Sequence, residues 1–173
     1  MSYTARIDKQ YAFEAAHQLP GHKGKCSRLH GHSYRVEVWA KGSTIVDEKS
    51  SSDGMLVDYG DIDDIIKPII ADMDHTFLSS GTEPLLHKIG TLDQARELGI
   101  ITYAIGVRTT AENIARYLAQ VVAARLLNVN YWKMYANIDL LGVAVFETAK
   151  TKAECIIDVN VQRKRMIADG SLS

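Results

Sequence analysis

The sequence has little cysteine, no excess of charge of either sign and no long apolar run, and each absence excludes a class of protein. Its 173 residues contain only two cysteines, Cys26 and Cys155, too few for the disulfide framework of a small secreted domain. No stretch approaches the roughly 20 apolar residues of a membrane-spanning helix, and the first residues lack the apolar core of a signal peptide. We therefore expect a cytoplasmic protein with no membrane partner, in which the thiol of Cys26 stays reduced.

The charges of the chain are balanced. Its 20 Lys and Arg residues stand against 21 Asp and Glu residues, giving a formal net charge of −1, and the basic residues form no run. Nucleic-acid-binding surfaces usually carry an excess or a cluster of basic residues, so we expect a small-molecule substrate and no nucleic acid. With 46% hydrophobic residues and no linker-like change in composition, residues 1–173 are expected to form a single domain around one core.

Histidine is concentrated near one loop, in a pattern that indicates a metal site. Alternating apolar residues predict strands over Arg6–His17 and Ser33–Lys41, and His17, His30 and His32 share the apolar face of these strands. Antiparallel pairing across the loop would bring the three side chains together. Three neutral nitrogen ligands leave the fourth position of a zinc ion open for water or substrate, which is typical of catalytic zinc.

A second interpretation of the same residues gives a structural site. Cys26 lies four residues before His30, and its thiolate would be a suitable fourth ligand. The chain would then be a non-catalytic interaction module that zinc stabilises.

The rest of the chain predicts two main helices and two closing strands. Apolar spacing gives a helix from Ile62 to Met73 that bends at Pro68, and a second helix that Thr109 and Glu112 would cap. The closing strands and a further short helix are predicted over Ile138–Thr148, Ala153–Asn160 and Leu92–Leu98. The expected fold class is therefore α+β, with a four-stranded antiparallel sheet, two main helices on one face and the order ββααββ.

Five short motifs follow one another along the chain. They are Phe13-Glu14-Ala15-Ala16-His17, Cys26-x-x-x-His30-Gly31-His32, Asp74-His75, Thr110-Ala111-Glu112-Asn113 and Phe146-Glu147-Thr148. In order and arrangement they resemble the 6-pyruvoyl-tetrahydropterin synthase family. The three residues between Cys26 and His30 are similar to its bacterial 6-carboxy-tetrahydropterin synthase branch, which serves queuosine and other 7-deazaguanine pathways. The segment Ser79–Arg108 looks longer than in typical members.

The resemblance implies a role for each motif. The metal ligands would be His17, His30 and His32, with zinc as the cofactor. The proton-abstracting thiol would be Cys26, with Asp74 and His75 as its catalytic partner pair. The residues that hold the pterin would be Glu147 and Thr110.

The resemblance also implies an activity and an assembly. The activity is a lyase reaction that converts 7,8-dihydroneopterin triphosphate to 6-carboxy-5,6,7,8-tetrahydropterin, releasing acetaldehyde and triphosphate. The alternative product from the same substrate is 6-pyruvoyl-tetrahydropterin. The implied architecture is the tunnelling fold, in which the sheets of a homotrimer close a barrel and two trimers form a hexamer; such closure would remove exposed strand edges.

Overall fold

The computed structural model describes residues 1–128 and 135–171, which form a mixed β-sheet with helices. The strands are β1 (Thr4–His17), β2 (His30–Ser43), β3 (Thr76–Ser79), β4 (Thr102–Ala104), β5 (Ile138–Thr148) and β6 (Thr151–Asp158). The helices are α1 (Tyr59–Met73), α2 (Pro84–Ile89), α3 (Leu92–Glu97), α4 (Ala111–Leu126) and α5 (Val159–Ala168), with a 3₁₀ turn at Lys25–Ser27. The strands lie in the order β4-β3-β1-β2-β5-β6.

The pairing of β1 with β2 confirms the predicted antiparallel ladder. His17 lies opposite His30, and Ala15 lies opposite His32. Alternate residues near the end of β1 are buried, including Phe13 and His17, because a strand turns successive side chains to opposite faces. The apolar alternation in the sequence therefore set the register that brings the histidines to one end of one face.

The core lies between the buried face of the sheet and the two long helices. The apolar stripe of α1 is buried, and that of α4 is buried along most of its length. Pro68 lies at an exposed position of α1, and the helix continues past it to Met73. The bend expected at Pro68 stays a prediction. No helix in the described part of the chain is long and apolar enough to span a bilayer.

The predicted four-stranded antiparallel sheet, with its order ββααββ, is wrong. The sheet has six strands and is mixed, because β3 runs parallel to β1 and β4 runs parallel to β3. All four residues of β3 are buried, so they lack the polar alternation that identifies a half-exposed strand. Three residues, as in β4, are too few to produce any periodic signal.

The structure settles two helix predictions and one strand prediction. The short helix predicted near Leu92 is confirmed as α3. The first turn of α4 is capped by the hydroxyl of Thr110, which accepts from the Asn113 N–H, and not by Thr109 as predicted. The last predicted strand stops at Asp158, whose carboxylate caps α5, an additional helix that the weak apolar pattern there did not indicate.

Candidate metal centre and active site

The three histidines of the predicted site converge at one end of the sheet. His17 is the last residue of β1, and His30 and His32 lie at the start of β2. One ligand atom from each side chain lies within 4.8 Å of the other two. His17 is almost fully buried, at 1% exposure. Among the described residues, these three form the group that could hold a metal ion.

Backbone carbonyls determine which nitrogen of two of these rings is free. The Nδ1 atom of His17 lies 2.7 Å from the Thr109 carbonyl oxygen, and that of His30 lies 2.7 Å from the Arg28 carbonyl oxygen. Because a carbonyl oxygen only accepts, each Nδ1 must carry the proton and donate it. Both Nε2 atoms are then left as acceptors in the neutral rings.

This arrangement fits a bound metal cation. The Nε2 atoms of His17 and His30 are 3.1 Å apart, close to the spacing of about 3.3 Å that two nitrogens need on a tetrahedral zinc ion. The Nε2 atom of His32 is buried and has no hydrogen-bond partner among the described residues. Burial lowers the pKa of His17 to about 4, so near neutral pH His17 carries no second proton that could bridge its Nε2 atom and that of His30. A divalent metal would satisfy all three nitrogens.

The thiol of Cys26 is not one of the ligand atoms of this group. Cys26 sits in the 3₁₀ turn, where its carbonyl oxygen accepts a 2.9 Å hydrogen bond from the Leu19 N–H. Its side chain is half-buried and free, and it does not belong to the set of atoms within 4.8 Å of one another. The geometry therefore favours a three-histidine site over a closed four-ligand site.

Glu147 and Thr110 share a cleft beside the histidines, named here the Glu147 cleft. Its volume is about 440 Å³, and its lining residues include Leu19, His22, Arg108, Thr110, Glu112, Glu147 and Lys152. The Oε1 atom of Glu147 lies 3.9 Å from His17 Nε2. Burial raises the pKa of this carboxyl, and the nearby ring of His32 opposes the rise. The structure thus brings Glu147 and Thr110 together, next to the metal ligands.

Asp74 and His75 form a dyad at the end of α1. The Asp74 Oδ2 atom lies 2.9 Å from His75 Nδ1, and Oδ1 accepts a 2.8 Å hydrogen bond from the Glu14 N–H. That backbone hydrogen bond and the contact with His75 lower the pKa of Asp74. The His75 side chain is 78% exposed, and its φ of 57° lies in the left-handed region, which is uncommon for a residue with a Cβ.

The dyad is not bonded to the other candidate residues. In the described part of the chain, no hydrogen bond, ion pair or ring contact joins His75 to the three histidines or to Cys26. His75 instead lines a second cleft, named here the His75 cleft, of about 500 Å³. Its lining residues include Glu14, Gly31, His32, Ser33, His75, Phe77, Gly99, Ile100 and Ile101, so one of the three histidines borders the same cleft as His75.

Sequence reasoning missed some of the residues that hold the site in place. The carbonyls of Arg28 and Thr109 orient two histidines, but a backbone group leaves no trace in side-chain patterns. Tyr34 is fully buried beneath the site, with its ring centroid 5.4 Å from that of His32. One signal in the sequence was Gly31, between His30 and His32, because a glycine can mark a close approach of two backbones. An added Cβ at Gly31 would lie 3.2 Å from the Ala15 carbonyl oxygen of β1.

Comparisons with known proteins agree with this geometry. The sequence model of the 6-pyruvoyl tetrahydropterin synthase family matches residues 6–156. A 6-carboxy-5,6,7,8-tetrahydropterin synthase from Haemophilus influenzae is 39% identical over 114 residues, 65% of this chain and 78% of that protein. The protein of the same name from Rickettsia bellii is 32% identical over 156 residues, 89% of this chain and 99% of the relative.

A solved structure agrees in fold. The crystal structure of 6-pyruvoyl tetrahydropterin synthase from Plasmodium vivax matches with a TM-score of 0.68 and 18% identity, over 90% of this chain and 99% of that chain. At this identity the match supports the fold alone. The extent of the sequence-model match and the identity to the two relatives confirm the resemblance inferred from the five motifs. The chain belongs to the 6-pyruvoyl tetrahydropterin synthase family.

Proposed function

We propose that the chain is a zinc-dependent carbon–carbon lyase of 7-deazaguanine (queuosine) biosynthesis. It would convert 7,8-dihydroneopterin triphosphate and water to 6-carboxy-5,6,7,8-tetrahydropterin, acetaldehyde and triphosphate. The observation that carries this proposal is the convergence of His17, His30 and His32, with an unpartnered buried nitrogen on His32 and with Cys26 outside the ligand set. The carboxy name of the two relatives supports this product.

The residues around the histidines have chemistry that suits this reaction. Zinc held by the three histidines would supply Lewis-acid polarisation of the hydroxyl groups on the substrate's side chain. Cys26, as thiolate, would remove a carbon-bound proton from that side chain. His75 would take up and return protons at Nε2, because its Nδ1 is engaged by the Asp74 carboxylate, which stabilises the imidazolium.

The Glu147 cleft would hold the pterin ring. The two carboxylate oxygens of Glu147 can accept a pair of hydrogen bonds, from the amino group and a ring nitrogen of the pterin. The Thr110 hydroxyl lines the same cleft and is a further polar contact for the ring. Because Glu147 lies 3.9 Å from His17, a pterin bound there would extend its side chain toward the metal ligands.

The dyad would complete the site of a neighbouring copy. Among the described residues, no hydrogen bond, ion pair or ring contact joins Asp74 or His75 to the three histidines or Cys26 of their own chain, whereas the proposed chemistry needs all of them at one substrate. Assembly of three copies through their strand edges, and of two such trimers into a hexamer, would supply the dyad from an adjacent chain. The expected cytoplasmic location stays a prediction.

Formation of 6-pyruvoyl-tetrahydropterin is the second candidate function. It has support from the family model, whose description carries the pyruvoyl name. This reaction eliminates triphosphate from the same substrate but keeps all side-chain carbons on the pterin. The two reactions therefore differ in one measurable product, acetaldehyde.

The test is product identification by mass spectrometry after the zinc-loaded protein is incubated with 7,8-dihydroneopterin triphosphate. We expect 6-carboxy-tetrahydropterin and acetaldehyde. Cys26→Ala should retain zinc and fold but lose about 10²–10⁴-fold in turnover, since a positioned base supplies that much. Cys155→Ala, at the other free cysteine, is the matched control and should match the parent.

Glu147→Ala should lose substrate affinity, whereas Cys26→Ala should lose turnover. Loss of its paired hydrogen bonds should weaken pterin binding, measured by calorimetry, while the zinc content stays near that of the parent. The pyruvoyl product would select the second candidate. No conversion by the parent would overturn both functions, and loss of zinc in Cys26→Ala would favour the closed structural site.

A further inference from the structure

The segment between β3 and α4 forms one wall of the His75 cleft. This is the segment that looks longer than in typical family members, and it contains α2, α3 and β4. Its residues Gly99, Ile100 and Ile101 line the cleft together with His75. The wall and the dyad therefore border the same space of about 500 Å³.

Three backbone hydrogen bonds hold this wall in a defined position. Gly99 ends α3 with a φ of +77°, a left-handed conformation that glycine adopts without strain, and its N–H donates to the Arg96 carbonyl. The Ile100 N–H donates to the Ala95 carbonyl at 2.8 Å. The Ile101 carbonyl accepts from the Phe77 N–H at 2.8 Å, two residues beyond His75. The dyad and the wall are thus joined through the start of β3.

The base of the segment is also anchored. The buried carboxylate of Glu83 accepts hydrogen bonds from the hydroxyls of Ser79 and Ser80 and from the backbone N–H groups of Ser80 and Gly81. The Ile105 N–H donates to the Ser79 carbonyl at 2.9 Å, which ties the far end of β4 to β3. A wall held at both ends can keep a constant distance from the dyad.

The wall contributes apolar side chains to the cleft, and polar groups from other elements also line it. Ile101 is 59% exposed although its backbone is fixed by the sheet. The polar groups that line the cleft include His75 and the hydrogen-bonded pair of Ser33 and Glu14, whose side-chain oxygens are 2.8 Å apart. A cleft with this mixed lining suits a ligand that carries hydroxyl groups on a carbon chain.

We propose that Ile101 is a specificity-determining residue that packs against the carbon chain of the substrate's side chain while His75 acts on it. The inference rests on the proposed function, because it takes the side chain of a substrate bound in an adjacent copy's Glu147 cleft to be the group that enters the His75 cleft. Since the Nδ1 atom of His75 is engaged by Asp74, the proton must pass through Nε2. Substrate atoms within reach of that nitrogen lie in the cleft that Ile101 also lines.

The test compares two ligands that differ only in the side chain. Binding of neopterin, which carries the three-carbon side chain, and of pterin, which lacks it, is measured by calorimetry on the zinc-loaded protein. Ile101→Ala should weaken neopterin binding roughly tenfold, as loss of an apolar contact in a pocket does, and leave pterin binding unchanged. Ile101→Val, which retains most of the side chain, should stay close to the parent.

Leu98→Ala is the matched control. Leu98 is 69% exposed in the same segment but does not line the cleft, so its truncation should affect neither ligand. With 7,8-dihydroneopterin triphosphate, Ile101→Ala should raise KM more than it lowers kcat. A merely structural role would instead lower the melting temperature of Ile101→Ala and affect both ligands alike.

The outcomes separate this inference from the proposed function. If the parent releases acetaldehyde and Ile101→Ala binds neopterin as tightly as the parent, Ile101 does not determine specificity, and the proposed function stands. If the parent binds neopterin no better than pterin and forms neither product, the proposed function fails and the inference fails with it.

Discussion

At the scale of single residues, the candidate site depends on which nitrogen of each histidine is available. The carbonyl of Thr109 takes the Nδ1 proton of His17, and that of Arg28 takes the Nδ1 proton of His30. The freed Nε2 atoms then face each other at 3.1 Å, an arrangement that is unfavourable without a cation between them. Metal binding would therefore relieve a repulsion that the fold itself creates.

Replacement of a single ligand should strip the metal. We expect about one zinc ion per chain in the parent and loss of most of it in His30→Ala and His32→Ala, since two ligands hold zinc far less tightly than three. His87→Ala, at an exposed histidine of α2, is the control and should keep its zinc. The measurement is zinc content after dialysis, by atomic emission.

A cobalt-substituted sample would check the ligand set by an independent method. Thiolate ligation by Cys26 gives a strong charge-transfer absorption that a site of three histidines lacks, so we expect none. Full zinc retention in both histidine variants, or a charge-transfer band in the parent, would contradict the three-histidine site.

At the scale of secondary-structure elements, a buried carboxylate anchors the segment that carries the wall. Burial of Glu83 raises the pKa of its carboxyl, but the hydrogen bonds from Ser79 and Ser80 outweigh that effect and hold the pKa below its ordinary value. A carboxyl whose pKa is lowered in the folded state stabilises the fold above the pKa of the unfolded chain. That contribution is lost as the pH falls through the folded-state pKa.

Glu83→Ala should lower the free energy of unfolding by about 2–4 kcal/mol at pH 7, because it leaves buried donors without an acceptor. The stability advantage of the parent over Glu83→Gln should shrink as the pH falls from 7 to below the ordinary glutamate pKa of about 4.3. Urea unfolding at several pH values measures both effects. Glu48→Gln, in an exposed loop, should show no such pH-dependent difference, and equal behaviour of the two Gln variants would refute the assigned role of Glu83.

At the scale of the whole molecule, the sheet leaves two long strand edges unpaired in the described chain. Strand β6 pairs only with β5, and β3 covers β1 only at Ala15 and Ala16, so β1 from Thr4 to Glu14 has β2 as its one strand neighbour. Exposed edges of this length readily pair with another chain. Pairing of β6 with β1 of the next copy would close a ring.

We expect the protein to sediment as a trimer or a multiple of a trimer at micromolar concentration. Ile156 is an exposed residue of the edge strand β6, and Ile156→Lys should shift the population toward monomers, because a lysine on an edge opposes strand pairing. Val161→Lys, on α5, is the control and should leave the assembly intact. A stable monomer with full activity would refute both the ring and a site shared between copies.

The sequence by itself determined the strands that carry the histidines. The alternation in β1 and β2 is local, and it places His17, His30 and His32 on one face whatever the rest of the chain does. The five motifs were enough to identify the family, because the spacing of reactive residues depends on the chemistry they perform. The apolar stripes of α1 and α4 could also be predicted from the sequence, because the helical spacing of apolar residues is local as well.

Only the tertiary structure decided what depends on distant neighbours. Strands β3 and β4 form because the sheet offers them a partner. Strand β3 is buried on both faces and carries no alternating pattern, and β4 has only three residues. The carbonyl of Thr109 reaches His17 across 92 positions, through a backbone group that every residue has. Ile101 faces the same cleft as His75 because the N–H of Phe77, in β3, donates to the Ile101 carbonyl, just before β4. Local periodicity cannot encode such a long-range contact.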